Sequence, residues 1–499
     1  MLELQFKKTG CTCLDTAVRE IRNLEQTHEM KLPDSMPDIG KVLAAWGQCV
    51  LRSKEWNTDS IGMTGGMQLW VMYAPEDGTQ PRVMDSWVPF QMRWELPQGM
   101  LEGKIRIGCM MRFVDARSVA ARKIMVRAGV SAVGEGWVNQ EKEVYAPEKI
   151  PEGIELLRST YPLRLPKEVG EKAFAMDEEL ALPPSAPIPE KIIYYALNPR
   201  NTDQKIMGNK VVFKGNGNLH VLYESEEGQL HSWDFELPFS QFAELDGSYS
   251  SDAQADVLLC PNNLELEIDD EGHFRLKCAM VGQYLVDDLQ KIEVVEDAYS
   301  PKQELELYRD MLEFPVILES RREILYGEQS VPAAADIAAD VRMLTEYPRV
   351  RRMGDRVDME MPVSFQVLYY GENGTVQSAT GRWNGQLSMP ADENSQIAAL
   401  PIPGMPQAMP GNGNIMVNGE IPVQILTGTT QKIPVVTGLN VGQQRIIDTS
   451  RPSLILRRAG EDRLWDIAKS SGSTVDAIRK ANGLEAEPAA DQMLLIPMG

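Results

Sequence analysis

Few residues in this chain of 499 are placed to do chemistry, and their spacing works against it. Its four histidines, His28, His220, His231 and His273, stand far apart, whereas a zinc site draws its ligands in pairs about two to five residues apart. Cys11 and Cys13 offer one such pair, half of a metal site, with no second pair to complete it. The acid runs Asp269-Asp270-Glu271 and Asp287-Asp288 bring carboxylates together as acid–base chemistry does. In a chain with 72 acidic residues, however, the expectation for each run is a solvated turn. Gly215-Asn216-Gly217-Asn218 and Gly411-Asn412-Gly413-Asn414 look like phosphate loops but lack the closing Gly and the Lys-Ser or Lys-Thr that would hold a phosphate, so they read as turns or bulges. No Gly-x-Ser-x-Gly elbow, Walker lysine or His-Glu-x-x-His occurs. The expectation is no catalytic residue, no metal and no cofactor.

Composition points the same way. Fifty basic residues against 72 acidic ones give a formal net charge of -22, which argues against a general basic field for nucleic acid or anionic membrane and favours solubility or a basic partner. No run of about 18 apolar residues is present, so no membrane insertion is expected and the chain reads as cytoplasmic. Six cysteines do not make a disulfide framework in a chain of this length.

The elements that organise the chain are hairpins written three times. Leu69-Trp70-Val71-Met72-Tyr73, Leu219-His220-Val221-Leu222-Tyr223 and Phe365-Gln366-Val367-Leu368-Tyr369 each place Leu or Phe, Val and Tyr at alternate positions, the spacing of one buried strand face. Five residues after each Tyr comes Gly78, Gly228 or Gly374, at the place where a tight turn needs positive φ. The tyrosine hydroxyls are expected to find backbone partners. The copies keep a period of 150 and then 146 residues, and two further markers agree. Leu32-Pro33-Asp34-Ser35-Met36-Pro37 recurs as Leu182-Pro183-Pro184-Ser185-Ala186-Pro187, and Val88-Pro89-Phe90 as Leu237-Pro238-Phe239. The third copy echoes them loosely, with Ser330-Val331-Pro332 and Asp336-Ile337 at the first marker and Trp383-Asn384-Gly385 at the second.

Within the copies, Leu14 to Leu24 reads as a short helix or an edge strand. Ile124 to Val130, Phe274 to Val281 and Ile415 to Val423 read as central strands. The Pro- and Gly-rich run from Pro401 to Asn414 reads as a mobile loop. The end of the chain differs from the rest. Ser453 to Leu456 is expected as a strand and Leu464 to Lys469 as a helix. A second helix from Thr474 to Ala481 follows, with Ser473 as N-cap and Asn482-Gly483 as C-cap, and Leu494 to Pro497 returns as a strand. Seven basic and seven acidic residues between Arg451 and Gly499 cancel, which argues against a helix-turn-helix on nucleic acid.

On Asp462, Leu464-Trp465-Asp466-Ile467-Ala468, Ser473, Val475, Ile478, Asn482-Gly483-Leu484 and Leu494 to Pro497, this last stretch resembles a LysM module. The resemblance implies a shallow groove between two loops, to which Asp462, Arg463, Leu464, Trp465, Asn482, Gly483 and Leu484 would contribute. Its usual ligand is an N-acetylglucosamine polymer. Here Glu461-Asp462-Arg463 replaces the usual Gly-Asp-Thr and Asp491-Gln492 the usual Gly-Gln, bulky charges that favour a protein ligand. Asp462 has the alternative reading of a helix cap, and Trp465 that of module core. The repeats resemble the SPOCS domain (DUF3794) in Leu32 to Ile39, the Val-x-Tyr hairpins and Ala121 to Ala128.

These resemblances imply a mainly β chain, with three tandem β-rich SPOCS-like domains (1–150, 160–300 and 305–447) followed by a small α+β (βααβ) LysM domain (451–499). They imply a non-enzymatic scaffold of spore coat or spore envelope morphogenesis in the mother cell. Its LysM module would dock a SpoIVA-like coat-assembly ATPase or another spore coat protein, with peptidoglycan or chitin oligosaccharide as the alternative ligand.

Overall fold

The computed structural model describes residues 2–147, 150–335, 337–445 and 452–498. The expected echo at Asp336 and the expected domain limits at 447 and 451 lie outside the described residues. The fold is mainly β, as expected, with two short helices near the C-terminus.

Strand β1 (Leu2–Gln5) opens the chain. A first set follows: β2 (Lys7–Lys31), β3 (Ile39–Trp56), β4 (Ser60–Pro75), β5 (Arg82–Glu95), β6 (Lys104–Ala120) and β7 (Lys123–Ala146). It makes two antiparallel sheets, ordered β3-β4-β5 and β2-β7-β6. The second set is β8 (Glu155–Leu180), β9 (Pro189–Met207), β10 (Lys210–Ser225), β11 (Leu230–Glu244), β12 (Gln254–Ile268) and β13 (Phe274–Tyr299). Its sheets, β9-β10-β11 and β8-β13-β12, follow the same plan.

In the third set, β14 (Gln303–Pro332) is followed by β15 (Ile337–Thr345) and β16 (Arg349–Met353), which together hold the place of one strand on β17 (Arg356–Tyr370). Strand β18 (Val376–Pro390) lines the other edge of β17. Then β19 (Gln396–Pro401) and β20 (Pro406–Gly411) share one edge of β21 (Asn414–Gln444), and β14 takes the other. Pro348 lies in the first break and Pro403 in the second, where a missing N–H removes a ladder bond. Strand β1 pairs with β21 from Leu2↔Val441 to Gln5↔Gly438, so the start of the chain closes onto the third set.

The hairpin faces are buried as their alternation predicts. Leu69, Val71 and Tyr73, their counterparts on β10, and Phe365, Val367 and Tyr369 all lie in cores. Gly78, Gly228 and Gly374 take φ of 73°, 76° and 71°. Tyr73 donates to the Pro37 carbonyl at 2.9 Å and Tyr223 to the Pro187 carbonyl at 3.2 Å. Tyr369 departs from the expectation and donates to the side chain of Gln377. The opposite strand faces are covered as well, because the three sets pack on one another. Trp46, Trp70 and Met72, then Tyr194 and Leu222, then Ala339 and Leu368 share one core. Cys11 and Cys13 on β2, Leu163 and Leu165 on β8, and Leu312 and Phe314 on β14 share another, at matching places in the three sets. All six cysteines are free thiols, and burial raises those of Cys11 and Cys13 above the usual thiol range.

Of the two readings of Leu14 to Leu24, the edge strand holds: the segment lies in β2, where a register shift between Thr16 and Val18 breaks the strand alternation. Other local expectations are corrected. Asp287 is not in a solvated turn; it is buried on β13 and accepts from Arg164 Nη1 at 2.6 Å. Pro401 to Asn414 is a loop only in part, since residues 406–411 form β20. Gly215 marks a bulge, as expected for its run: a Cβ there would stand 2.0 Å from the Arg200 carbonyl oxygen.

Candidate functional site

The chain ends in β22 (Leu454–Arg458), α1 (Leu464–Ser471), α2 (Val475–Asn482) and β23 (Met493–Pro497), with β22 and β23 paired antiparallel. Leu464, Ile467, Ala468 and Ile478 on the helices close with Leu494 and Ile496 on β23 into one small core. Gly472 and Gly483 end the helices in left-handed conformations with φ of 69° and 63°. The N-cap of α2 is Thr474, which accepts from the Ala477 amide; Ser473, the expected cap, has a buried hydroxyl without a partner.

Of the seven expected groove residues, Leu464 is wholly buried in the small core, and the other six separate into three roles. Asp462 and Arg463 are exposed. Asp462 is no helix cap, because its carboxylate is paired with Arg457, while Arg463 pairs with Asp466 at 3.2 Å. The first turn of α1 is held instead by Glu487, whose carboxylate accepts from the Leu464 amide at 2.8 Å and ties this loop to the one before β23. Asn482, Gly483 and Leu484 lie at the end of α2 and the start of the loop after it. The Asn482 side chain donates to the Ile478 and Leu495 carbonyls at 2.8 and 2.7 Å and accepts from the Leu495 amide at 2.7 Å, so one amide clamps α2 to β23.

Trp465 has a different task. Its ring meets Tyr299 of β13 edge-on with centroids 4.8 Å apart, and its indole N–H donates to Asp297 at 3.0 Å. Lys469 reaches the same carboxylate at 2.6 Å, Arg309 also pairs with it, and the Tyr299 hydroxyl donates to the Ser473 carbonyl. Burial works to raise the Asp297 carboxyl, but the hydrogen bonds from Lys469, Trp465 and Arg309 outweigh it and hold the group below the usual carboxylate range. Trp465 is therefore an anchor to the second strand set. Asp297 and Tyr299 escaped sequence reasoning because Asp297 stands 168 residues from Trp465 and no local spacing links them.

Two other histidine and acid groupings arise only in three dimensions. Glu179, Asp269 and His273 bring ligand atoms within 4.8 Å of one another. Glu179 on β8 already pairs with Arg275 at 2.9 Å, and Asp269 accepts the amides of Glu271 and His273 and so closes an ordinary turn. His220, at the place Trp70 holds in the first hairpin, is buried between Asp234 and Asp340, 2.8 Å from each. Burial alone would lower its pKa; the two carboxylates, Asp340 foremost, raise it to about 9.

No helix of the described residues is long and apolar enough to cross a membrane. No curated protein and no solved structure matches the chain. Residues 189–268 match the family model described as SipL, SPOCS domain, a stretch that starts with β9 and ends with β12. The matched segment carries the second Val-x-Tyr hairpin, and it points to a sporulation-related role. The chain therefore contains a SPOCS domain in its second strand set.

Proposed function

We propose that this chain is a non-enzymatic scaffold of spore coat or spore envelope morphogenesis. In this reading three SPOCS-like domains in tandem carry a LysM-like terminal module, and the exposed rim of that module docks a coat-assembly ATPase. The observation that carries the reading is the strand plan around the SPOCS match: the sheets formed by β9 to β12 and their partners recur before and after it with the same order. Tandem copies multiply contact surfaces, which suits a protein that holds others in place. In the terminal unit, Trp465 is taken up by anchoring while Asp462 and Arg463 stay exposed beside the loop that Glu487 ties down, which leaves charged groups for a protein surface.

Co-purification of the ATPase with tagged full-length chain tests this. Arg463→Glu is expected to reduce capture severely without loss of folding, because the side chain is 62% exposed. Full capture by both Arg463→Glu and a chain truncated after residue 451 would move docking away from this unit. Retention of the full chain on purified peptidoglycan, lost in Arg463→Glu, would assign the rim to glycan.

A further inference from the structure

An open cleft of about 860 Å³ lies between the outer face of the β15-β17-β18 sheet and strands β6 and β7. Five arginines line it: Arg112 and Arg127 from the first set, and Arg342, Arg349 and Arg382 from the third. In a chain of net charge -22 this is a local reversal of sign. Two lining carboxylates, Asp115 and Glu346, face them, with Glu25 and Glu360 just outside; Glu360 stands opposite Arg349 across β16 and β17 and accepts from Asn384 at 2.7 Å. Glu25 and Glu346 are engaged with Arg112 and Arg127, whose guanidiniums also lie over the Phe113 ring at 5.8 and 5.1 Å. These two cations are thereby fixed in place. Arg349 and Arg382 are exposed and have no ion pair among the described residues.

The arginines are not a requirement of the fold. The corresponding cleft between the β3-β4-β5 face and β12 is lined by Gln48, Gln68 and Trp87, where the third set has Leu344, Ser364 and Arg382, and Arg52 is its one arginine. Asn263, Leu264 and Glu265 stand there at the places of Phe113, Val114 and Asp115, beyond the same bulge. That cleft is also smaller, about 300 Å³. Two faces with one strand plan thus differ in the feature that would recognise an anion.

We propose that the cleft between the third and first strand sets binds an acidic peptide segment of a partner protein. Guanidinium groups match carboxylates two bonds at a time and are the usual means of reading acidic motifs. The lining alternates these cations with hydrogen-bonding Ser364, Gln366 and Asn384 and with apolar Val114 and Leu344, a mixture suited to an extended chain with spaced carboxylates. A compact polyphosphate would leave most of the cleft empty and would sit against Asp115 and Glu346. This surface is distinct from the terminal unit, so its fate is separable from that of the docking rim.

The test is fluorescence anisotropy of a labelled soluble peptide, with glutamates spaced by leucine and glycine, titrated with the full-length protein at low and high salt. The parent is expected to bind in a salt-dependent manner. Arg349→Glu combined with Arg382→Glu is expected to weaken binding by about tenfold or more, and Arg52→Glu in the corresponding cleft to leave it unchanged. Arg349→Gln with Arg382→Gln, read beside thermal melts, separates lost charge from lost structure. The proposal falls if the parent does not bind the peptide, or if the double variants bind as the parent does. It falls equally if Arg52→Glu weakens binding as much, or if inorganic tripolyphosphate occupies the cleft in preference to the peptide.

Discussion

Replacing His220 by Gln removes a cation from between two carboxylates at the seam where the second strand set meets the third. The imidazole belongs to β10, Asp234 to its hairpin partner β11, and Asp340 to β15 across the seam. Asp340 and His220 are both buried, and both ring nitrogens donate when the imidazole is charged. A pKa raised from 6.5 to about 9 means that the folded state binds the proton more tightly than the unfolded one. The stabilisation is therefore complete below about pH 6.5 and is lost as pH rises through about 9. Its full size is roughly 3 kcal/mol, of which about 2 kcal/mol disappears between pH 6 and pH 8.

Urea denaturation followed by tryptophan fluorescence, at pH 6 and at pH 8, reads this directly. The parent is expected to lose stability over that interval, and His220→Gln to lose much less of it. At pH 6 the variant should be weaker than the parent by about 3 to 5 kcal/mol, because Asp340 is left as an uncompensated buried charge. Adding Asp340→Asn to His220→Gln should recover part of the loss, since two neutral amides can pair. A parent and a His220→Gln variant with the same pH dependence would refute the assignment of the cation to this seam.

Three further outcomes follow from other contacts. Asp297→Ala takes the acceptor from Trp465, Lys469 and Arg309 together, and should raise protease sensitivity between the third strand set and the terminal unit while leaving the parent's strand content intact by circular dichroism. Because that carboxyl is held below its ordinary range, the stability it adds is present above about pH 4 and is lost as pH falls through its folded value, so the same sensitivity should appear in the parent under acid. Arg106→Met, at a side chain 1% exposed between Asp256 and Glu135, should cost about 3 to 5 kcal/mol in urea by leaving buried Asp256 without its cation, while Glu135 keeps Arg19 at 3.0 Å. Gly78→Ala meets no atom within 4 Å, so its cost of about 1 kcal/mol in the same assay should come from backbone strain at φ 73° alone.

The alternation of Leu69, Val71 and Tyr73, and the glycine five residues on, is enough to read the hairpins, because both signals are local. What covers the opposite face is not local. Trp70 and Met72 could have faced water; they are buried because Tyr194 and Ala339 come from other sets. The weak second marker in the third copy has a similar cause. Phe90 crosses to Gly65 and Phe239 to Gly215, each ring lying where a side chain on the glycine would stand; in the third set Met361 faces Gly385. The volume has moved to the opposing strand, so the motif vanishes from one strand although the space stays filled. At the terminal unit both helices and the Gly483 cap were legible, but the Gly472 cap and the partners of Asp462, Leu464 and Trp465 were not. Arg457, Glu487 and Asp297 are matched to them by the fold and by no spacing.

A single chain with three copies of one strand plan can do what three identical chains cannot, which is to make each seam different. The place held by Trp70 in the first hairpin is held by His220 in the second and Gln366 in the third. The first seats an indole against Tyr194, the second holds a charged imidazole against the third set, and the third lines the arginine cleft. At the seam of the first and second sets the buried ion is Arg106 on Asp256. Identical subunits would have to repeat any buried charge or open cleft at every seam. Here β1 closes the start of the chain onto β21, and the asymmetry is carried by a few side chains on a common frame. Exchanging those side chains between equivalent positions, Gln366→His for example, should therefore fail to transfer the pH dependence unless an acid is supplied opposite, at Thr380, which faces Gln366 as Asp234 faces His220.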